Sequence, residues 1–152
     1  MEFELPLDFK ELLESLNRHK VRYLVIGGYA VGFHGWSRTT NDIDIVIADD
    51  ADNAERVVAA LEEFGFAGTS LSTDLFTRPN SLITMGVEPV AIDIFNYLEG
   101  VDVKKALENP KRVRVEDIEV KVVSYEDLLA NKRSVNRLQD QIDVEKLEKI
   151  NG

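Results

Sequence analysis

The stretch Tyr23–Ile47, YLVIGGYAVGFHGWSRTTNDIDIVI, decides how this chain folds and where its chemistry lies. It opens on a β-branched run, Val21 to Ile26, that reads as a strand stopped by the pair Gly27-Gly28. Ala30 to His34 then reads as a short helix, and Ile43 to Ile47 as the next strand. Glycines between a strand end and a helix start leave backbone amides bare to meet phosphate oxygens. In the second strand alternate side chains share a face, so Asp42 and Asp44 project together, about 6.6 Å apart at roughly 3.3 Å per residue. Ile43, Ile45 and Ile47 point the other way and anchor the strand in a core.

Working outward, a third carboxylate, Asp93, sits between Ile92 and Ile94 in another strand-like run, Val90 to Ile94. Three aspartates interrupting buried strands are costly to keep ionised without a cation, because burial and mutual repulsion both favour the protonated form. An all-oxygen carboxylate set suits Mg²⁺ or Mn²⁺, whereas Zn²⁺ more often recruits His or Cys. Two such ions roughly 4 Å apart would serve in-line phosphoryl transfer from a nucleoside triphosphate.

The remaining elements follow from periodicity. Leu12, Leu13 and Leu16 mark a helix over Leu7 to Arg18. The acidic turn Asp49, Asp50, Asp52 precedes a helix with Val57, Val58, Leu61 and Phe64 on its apolar face, ended by Gly65. Strands are expected over Leu71 to Thr77 and Leu82 to Val87, a short helix over Val101 to Leu107, and one or two strands within Val113 to Val122. Ser124, with Asp127 three residues on, starts a C-terminal helical segment over 124–152 with a break near Ser134 to Asn136. The expected class is α/β (α+β): one domain over 1–152, a mixed sheet packed with helices.

Composition bounds the function. A chain of 152 residues builds one real core. It has no apolar run of 18 residues and an acidic start, so neither a membrane span nor a secretory signal is expected. The absence of cysteine excludes disulfides and thiolate metal sites and makes the cytoplasm the default compartment. With 28 acidic and 18 basic residues the net charge is −10, which disfavours a broad nucleic-acid surface. Local basic clusters remain at Lys111, Arg112 and Arg114, and at Lys132, Arg133 and Arg137.

Single residues divide by chemistry. The forked donors of Arg38, just ahead of the carboxylate strand, match triphosphate oxygens. Thr39 and Thr40 beside it cap, coordinate through water, or simply favour strand. His34 reads at least as well as a residue that fixes its loop as it does as a nucleotide or phosphate contact, Trp36 reads better as a core residue than as a base stack, and His19 reads as a surface or helix-end residue. Asp140 and Asp143 share a helix face and read as an ion network with Arg137.

Tyr23 to Ile47 resembles the polymerase-β-like nucleotidyltransferase superfamily, and most closely its minimal branch that includes the abortive-infection type toxins. Gly27, Gly28, Asp42, Asp44 and Asp93 fall on that family's glycine pair, Asp-x-Asp and lone strand aspartate. The segment from Leu128 through Lys132 to Asp143 looks like the family's helical lysine followed by basic and acidic residues. The resemblance implies transfer of a nucleoside monophosphate from NTP to an acceptor hydroxyl, with Mg²⁺ or Mn²⁺ on Asp42, Asp44 and Asp93. It implies that Gly27, Gly28, Arg38, Thr39 and Lys132 face the nucleotide, Lys132 also serving the attacking group. Acceptors in the family are RNA ends, proteins or small molecules, with an RNA end slightly favoured here. A chain this short has little room for an acceptor domain, so an antitoxin-like protein partner, or a homodimer, is expected to build the missing wall of the cleft. Arg133 and Arg137 depart from the family's commonest spacing, so no catalytic role transfers to them. The rival reading is a non-catalytic nucleotide- or partner-binding component of a two-component system.

Overall fold

A computed structural model describes residues 5–38, 40, 42–66, 70–86 and 91–151. Among them six strands form one mixed sheet: β1 (Tyr23–Ile26), β2 (Asp42–Ile47), β3 (Leu82–Met85), β4 (Ala91–Phe95), β5 (Lys111–Val115) and β6 (Ile118–Val122), in the order β3-β4-β2-β1-β6-β5. β1 runs antiparallel to β2 and parallel to β6, while β2 runs parallel to β4. Antiparallel neighbours, β3 on β4 and β5 on β6, close both edges.

The core forms where the sequence period puts it. α1 (Leu7–Arg18) buries Phe9, Leu12, Leu13 and Leu16, and α3 (Ala51–Leu61) buries Ala54, Val57, Ala60 and Leu61. Ile43, Ile45 and Ile47 of β2 are fully buried in the same cluster. At roughly 1.5–3 kcal/mol per buried aliphatic side chain, this cluster holds β2 in place while its other face carries carboxylates. Ser15 donates from Oγ to the Ala60 carbonyl at 2.8 Å and ties the two helices together. Asp50 caps α3 by accepting from the Asn53 amide at 3.0 Å.

α2 (Gly27–Phe33) starts at the glycine pair itself, three residues before the expected Ala30. His34 follows, buried, its Nε2 2.7 Å from the Val123 carbonyl, and Trp36 packs against the core. Both are structural, as expected. The strand expected over Leu71 to Thr77 is instead a single helical turn, α4 (Asp74–Thr77), which drives Phe76 into the core. Asn96 fixes that turn by donating from Nδ2 to the carbonyls of Phe76 and Arg78. The expected strand ends at Val87 and Val90 lie outside the described residues.

α5 (Val103–Glu108) leads into the β5–β6 hairpin, and α6 (Tyr125–Val135) and α7 (Leu138–Asn151) complete the chain. Ser124 accepts from the Asp127 amide at 3.2 Å, as its cap position predicts. Asn136, in the left-handed region at φ 56°, makes the break between α6 and α7. Among the described residues no helix is long and apolar enough to cross a membrane.

Candidate active site

Strand register assembles the site. Asp44 pairs with Ile26 on one side and Asp93 on the other, and Asp93 pairs in turn with Thr84. Residues in register on neighbouring strands point to the same face, so Asp44 and Asp93 stand side by side, about 4.8 Å apart at the backbone. Asp42, two residues before Asp44, shares that face. The three carboxylates expected to cluster are therefore together. Thr84 Oγ1 donates to Asp93 Oδ1 at 2.7 Å, a contact for which the sequence carries no signal.

Crowding leaves a charge problem. Burial, then the Asp93 charge and the hydrogen bond shared with it, then Asp42, push the Asp44 carboxyl up to about 7, against a smaller opposing pull from Lys132. Asp42 Oδ1 is buried with no hydrogen-bond partner among the described residues. An orphaned carboxylate oxygen beside a carboxyl whose charge is disfavoured is a donor set that a hard divalent cation satisfies. Among the described residues, no three acidic or histidine side chains already stand about one point at ligating geometry.

Gly27 faces this cluster. Its φ of 66° lies in the left-handed region, and a Cβ there would stand 3.2 Å from both Cβ and Cγ of Asp44 and collide with Oδ2. The same residue that lets the chain turn into α2 lets it pass over the carboxylate. A Cβ at Gly28 would meet Thr40 Cβ at 3.0 Å, so the second glycine seats the segment leading into β2. Thr39 lies outside the described residues.

Arg38 and Lys132, expected at the phosphates, are engaged elsewhere. Arg38 clamps Asp143 through Nε at 2.9 Å and Nη2 at 3.1 Å. Lys132, only 3% exposed, places Nζ 3.1 Å from Asp140 and 2.9 Å from Asp143. Arg137 closes the chain of charges, donating from Nε to Asp140 Oδ2 at 2.8 Å and from Nη2 to Oδ1 at 3.2 Å. Burial pushes the Asp140 carboxyl up, but the bonds from Arg137 and Lys132 prevail and hold it at about 2. Asp143 is likewise held below its ordinary range by Arg38 and Lys132 against its burial. The network joins the lead-in to β2 to α6 and α7. Lys132 still borders the cleft beside the carboxylates, about 260 Å³, together with Gly27, Asp44 and Arg137.

The basic strand β5 stands apart. Lys111, Arg112 and Arg114 lie on the sheet edge three strands from β2, with Arg112 paired to Glu119 at 2.7 Å. Arg133 pairs with Glu148 at 2.9 Å.

A mixed sheet that presents paired-strand carboxylates to a glycine turn defines a nucleotidyltransferase-like fold. The chain belongs to the family described as nucleotidyl transferase of unknown function (DUF2204), whose model matches residues 6–152. Its structure is similar to the 1.87 Å crystal structure of a "putative nucleotidyltransferase" from Thermotoga maritima, with a TM-score of 0.59 at 18% identity, covering 93% of this chain and 88% of that one. No curated protein matches the chain.

Proposed function

We propose that this protein transfers a nucleoside monophosphate from an NTP to an acceptor hydroxyl, using Mg²⁺ or Mn²⁺ held by Asp42, Asp44 and Asp93. The observation that carries this reading is the register that sets Asp44 beside Asp93 on the face that Gly27 overhangs. Bound there, a divalent cation supplies charge neutralisation to the triphosphate and acidifies the attacking hydroxyl. The acceptor oxygen bonds to the α-phosphorus, the bond to the β-phosphate oxygen breaks, and pyrophosphate leaves. The hydroxyl proton passes to the Asp93 carboxylate, which Thr84 orients. Gly27 and Gly28 keep side chains out of the path of the phosphates, and Asp42 and Asp44 would hold the nucleotide-linked ion.

An RNA end as acceptor, and a toxin-like role with a protein partner, enter the proposal on the sequence resemblance at Tyr23 to Ile47. A protein or small-molecule hydroxyl suits the same chemistry. The test is incubation with Mg²⁺, NTPs labelled at the α-phosphate, and separated RNA, protein and metabolite fractions. Label is expected in one fraction and absent with Asp44→Asn. Tight NTP binding with no label in any fraction would replace transferase with a nucleotide-binding module.

A further inference from the structure

The cleft beside the carboxylates is lined by two chemically distinct groups of residues. In the first, Arg137 shares the lining with Asp44 and Gly27. Its side chain is 72% exposed, and Asp140 grips Nε and Nη2 while Nη1 has no partner among the described residues. Arg38 is gripped by Asp143 through the same two nitrogens but is only 22% exposed, and Lys132 is 3% exposed, so Arg137 is the exposed cation of the network on the lining of the cleft. A guanidinium fixed by one carboxylate and open on its remaining edge matches phosphate oxygens.

The second is aromatic and lies farther along β4 from the carboxylates. Phe95 lies two residues beyond Asp93, about 6.6 Å along the strand, and Tyr97 follows, the two rings packed edge to face at 6.0 Å. Tyr97 is 37% exposed and lines the cleft. Asn131 donates from Nδ2 to the Glu99 carbonyl at 3.0 Å and fixes the far wall. Gly100, at φ 78°, allows that wall to close, since a Cβ there would stand 2.6 Å from Ser134 Cβ. The Glu99 carboxylate, which accepts from Ser134 Oγ at 3.3 Å, makes this group repel phosphates.

We infer that the cleft takes a nucleoside triphosphate in one orientation, with its phosphates against Arg137 and its base on Tyr97. This rests on the nucleotidyl-transfer reading and adds direction to it. The test is calorimetry in Mg²⁺ buffer with the four NTPs and with inorganic tripolyphosphate, a probe that has phosphates and no base. Arg137→Gln is expected to weaken both the best-bound NTP and tripolyphosphate about tenfold or more, with Arg137→Lys partly restoring both. Tyr97→Leu is expected to weaken the NTP about tenfold and to leave tripolyphosphate within about twofold, while Tyr97→Phe binds as wild type. Melting curves identify any variant that fails to fold, and the conservative member of each pair then carries the comparison.

Tripolyphosphate binding unchanged in Arg137→Gln, or weakened by Tyr97→Leu as much as NTP binding, would overturn the orientation. In that case wild-type transfer would still stand. If the wild type binds neither probe, the nucleotidyl-transfer reading falls and the orientation falls with it.

Discussion

At the scale of single residues, the site trades stability for charge. Asp44 is held near neutrality by burial and by Asp93, so an amide in its place relieves repulsion at little change in shape. Asp44→Asn is expected to raise the stability of the metal-free protein by about 1 kcal/mol, read as a higher Tm, while abolishing Mg²⁺-dependent NTP binding. Equal NTP affinity in variant and wild type would remove Asp44 from the metal site. Gly27→Ala is the opposite case. The left-handed backbone and the collision with Asp44 together predict a loss of about 2 kcal/mol, and the displaced carboxylate predicts loss of metal-dependent binding. A Gly27→Ala protein that melts and binds like wild type would contradict the close approach.

Between elements, Arg38 and Lys132, which the sequence places toward the nucleotide, are tied into a buried network with Asp140 and Asp143. Lys132 sits between Asp140 and Asp143, so Lys132→Met leaves two buried carboxylates short of a cation. The expected loss is about 3 kcal/mol in denaturant unfolding, more than any exposed ion pair here would give. The acid limb follows from Asp140. Its carboxyl is held at about 2, below its ordinary 3.8, so the folded state releases that proton more readily than the unfolded chain. The stabilisation is complete above about pH 4 and is lost as pH falls toward 2, amounting to about 2 kcal/mol. Asp140→Asn should flatten that part of the stability profile, and an unchanged acid limb would count against the ion network.

Most elements were legible because their periods are long: Leu7 to Arg18 declares its helix, and Ser124 with Asp127 declares a cap. The turn at Asp74–Thr77 was not. Leu71, Thr73, Leu75 and Thr77 alternate as a strand does, and one helical turn is too short to show a period of its own. The three aspartates were legible as a set because each breaks an apolar strand. Where Arg38 and Lys132 would turn was not, since an arginine fork fits a carboxylate as well as a phosphate, and only the packing of α6 and α7 decides between them.

For the whole molecule, a net charge of −10 and basic side chains largely paired or set on the far edge of the sheet leave little surface for a long nucleic-acid track. One hydrophobic cluster draws side chains from α1, β1, β2, α3, β4, β6, α6 and α7, so these elements should melt together. Scanning calorimetry is expected to show one transition with matching calorimetric and van't Hoff enthalpies, and an early separate transition for residues 124–152 would make that segment an independent unit.

The parallel pairing of β2 with β4 bears on how the molecule comes into being. β1 and β2 are near neighbours in the chain and can zip as the backbone doubles back, but Asp44 and Asp93 are about 50 residues apart, and closing so long a loop carries its entropy cost before any contact repays it. A slip of one residue would place Ile92 or Ile94 where Asp93 belongs and turn an isoleucine out toward solvent, so the flanking isoleucines act as a proofreading device for the register. The chain thus completes its carboxylate cluster late and all at once: a newly made copy with its amino-terminal half already compact lacks Asp93 beside Asp44 until β4 has been synthesised and docked.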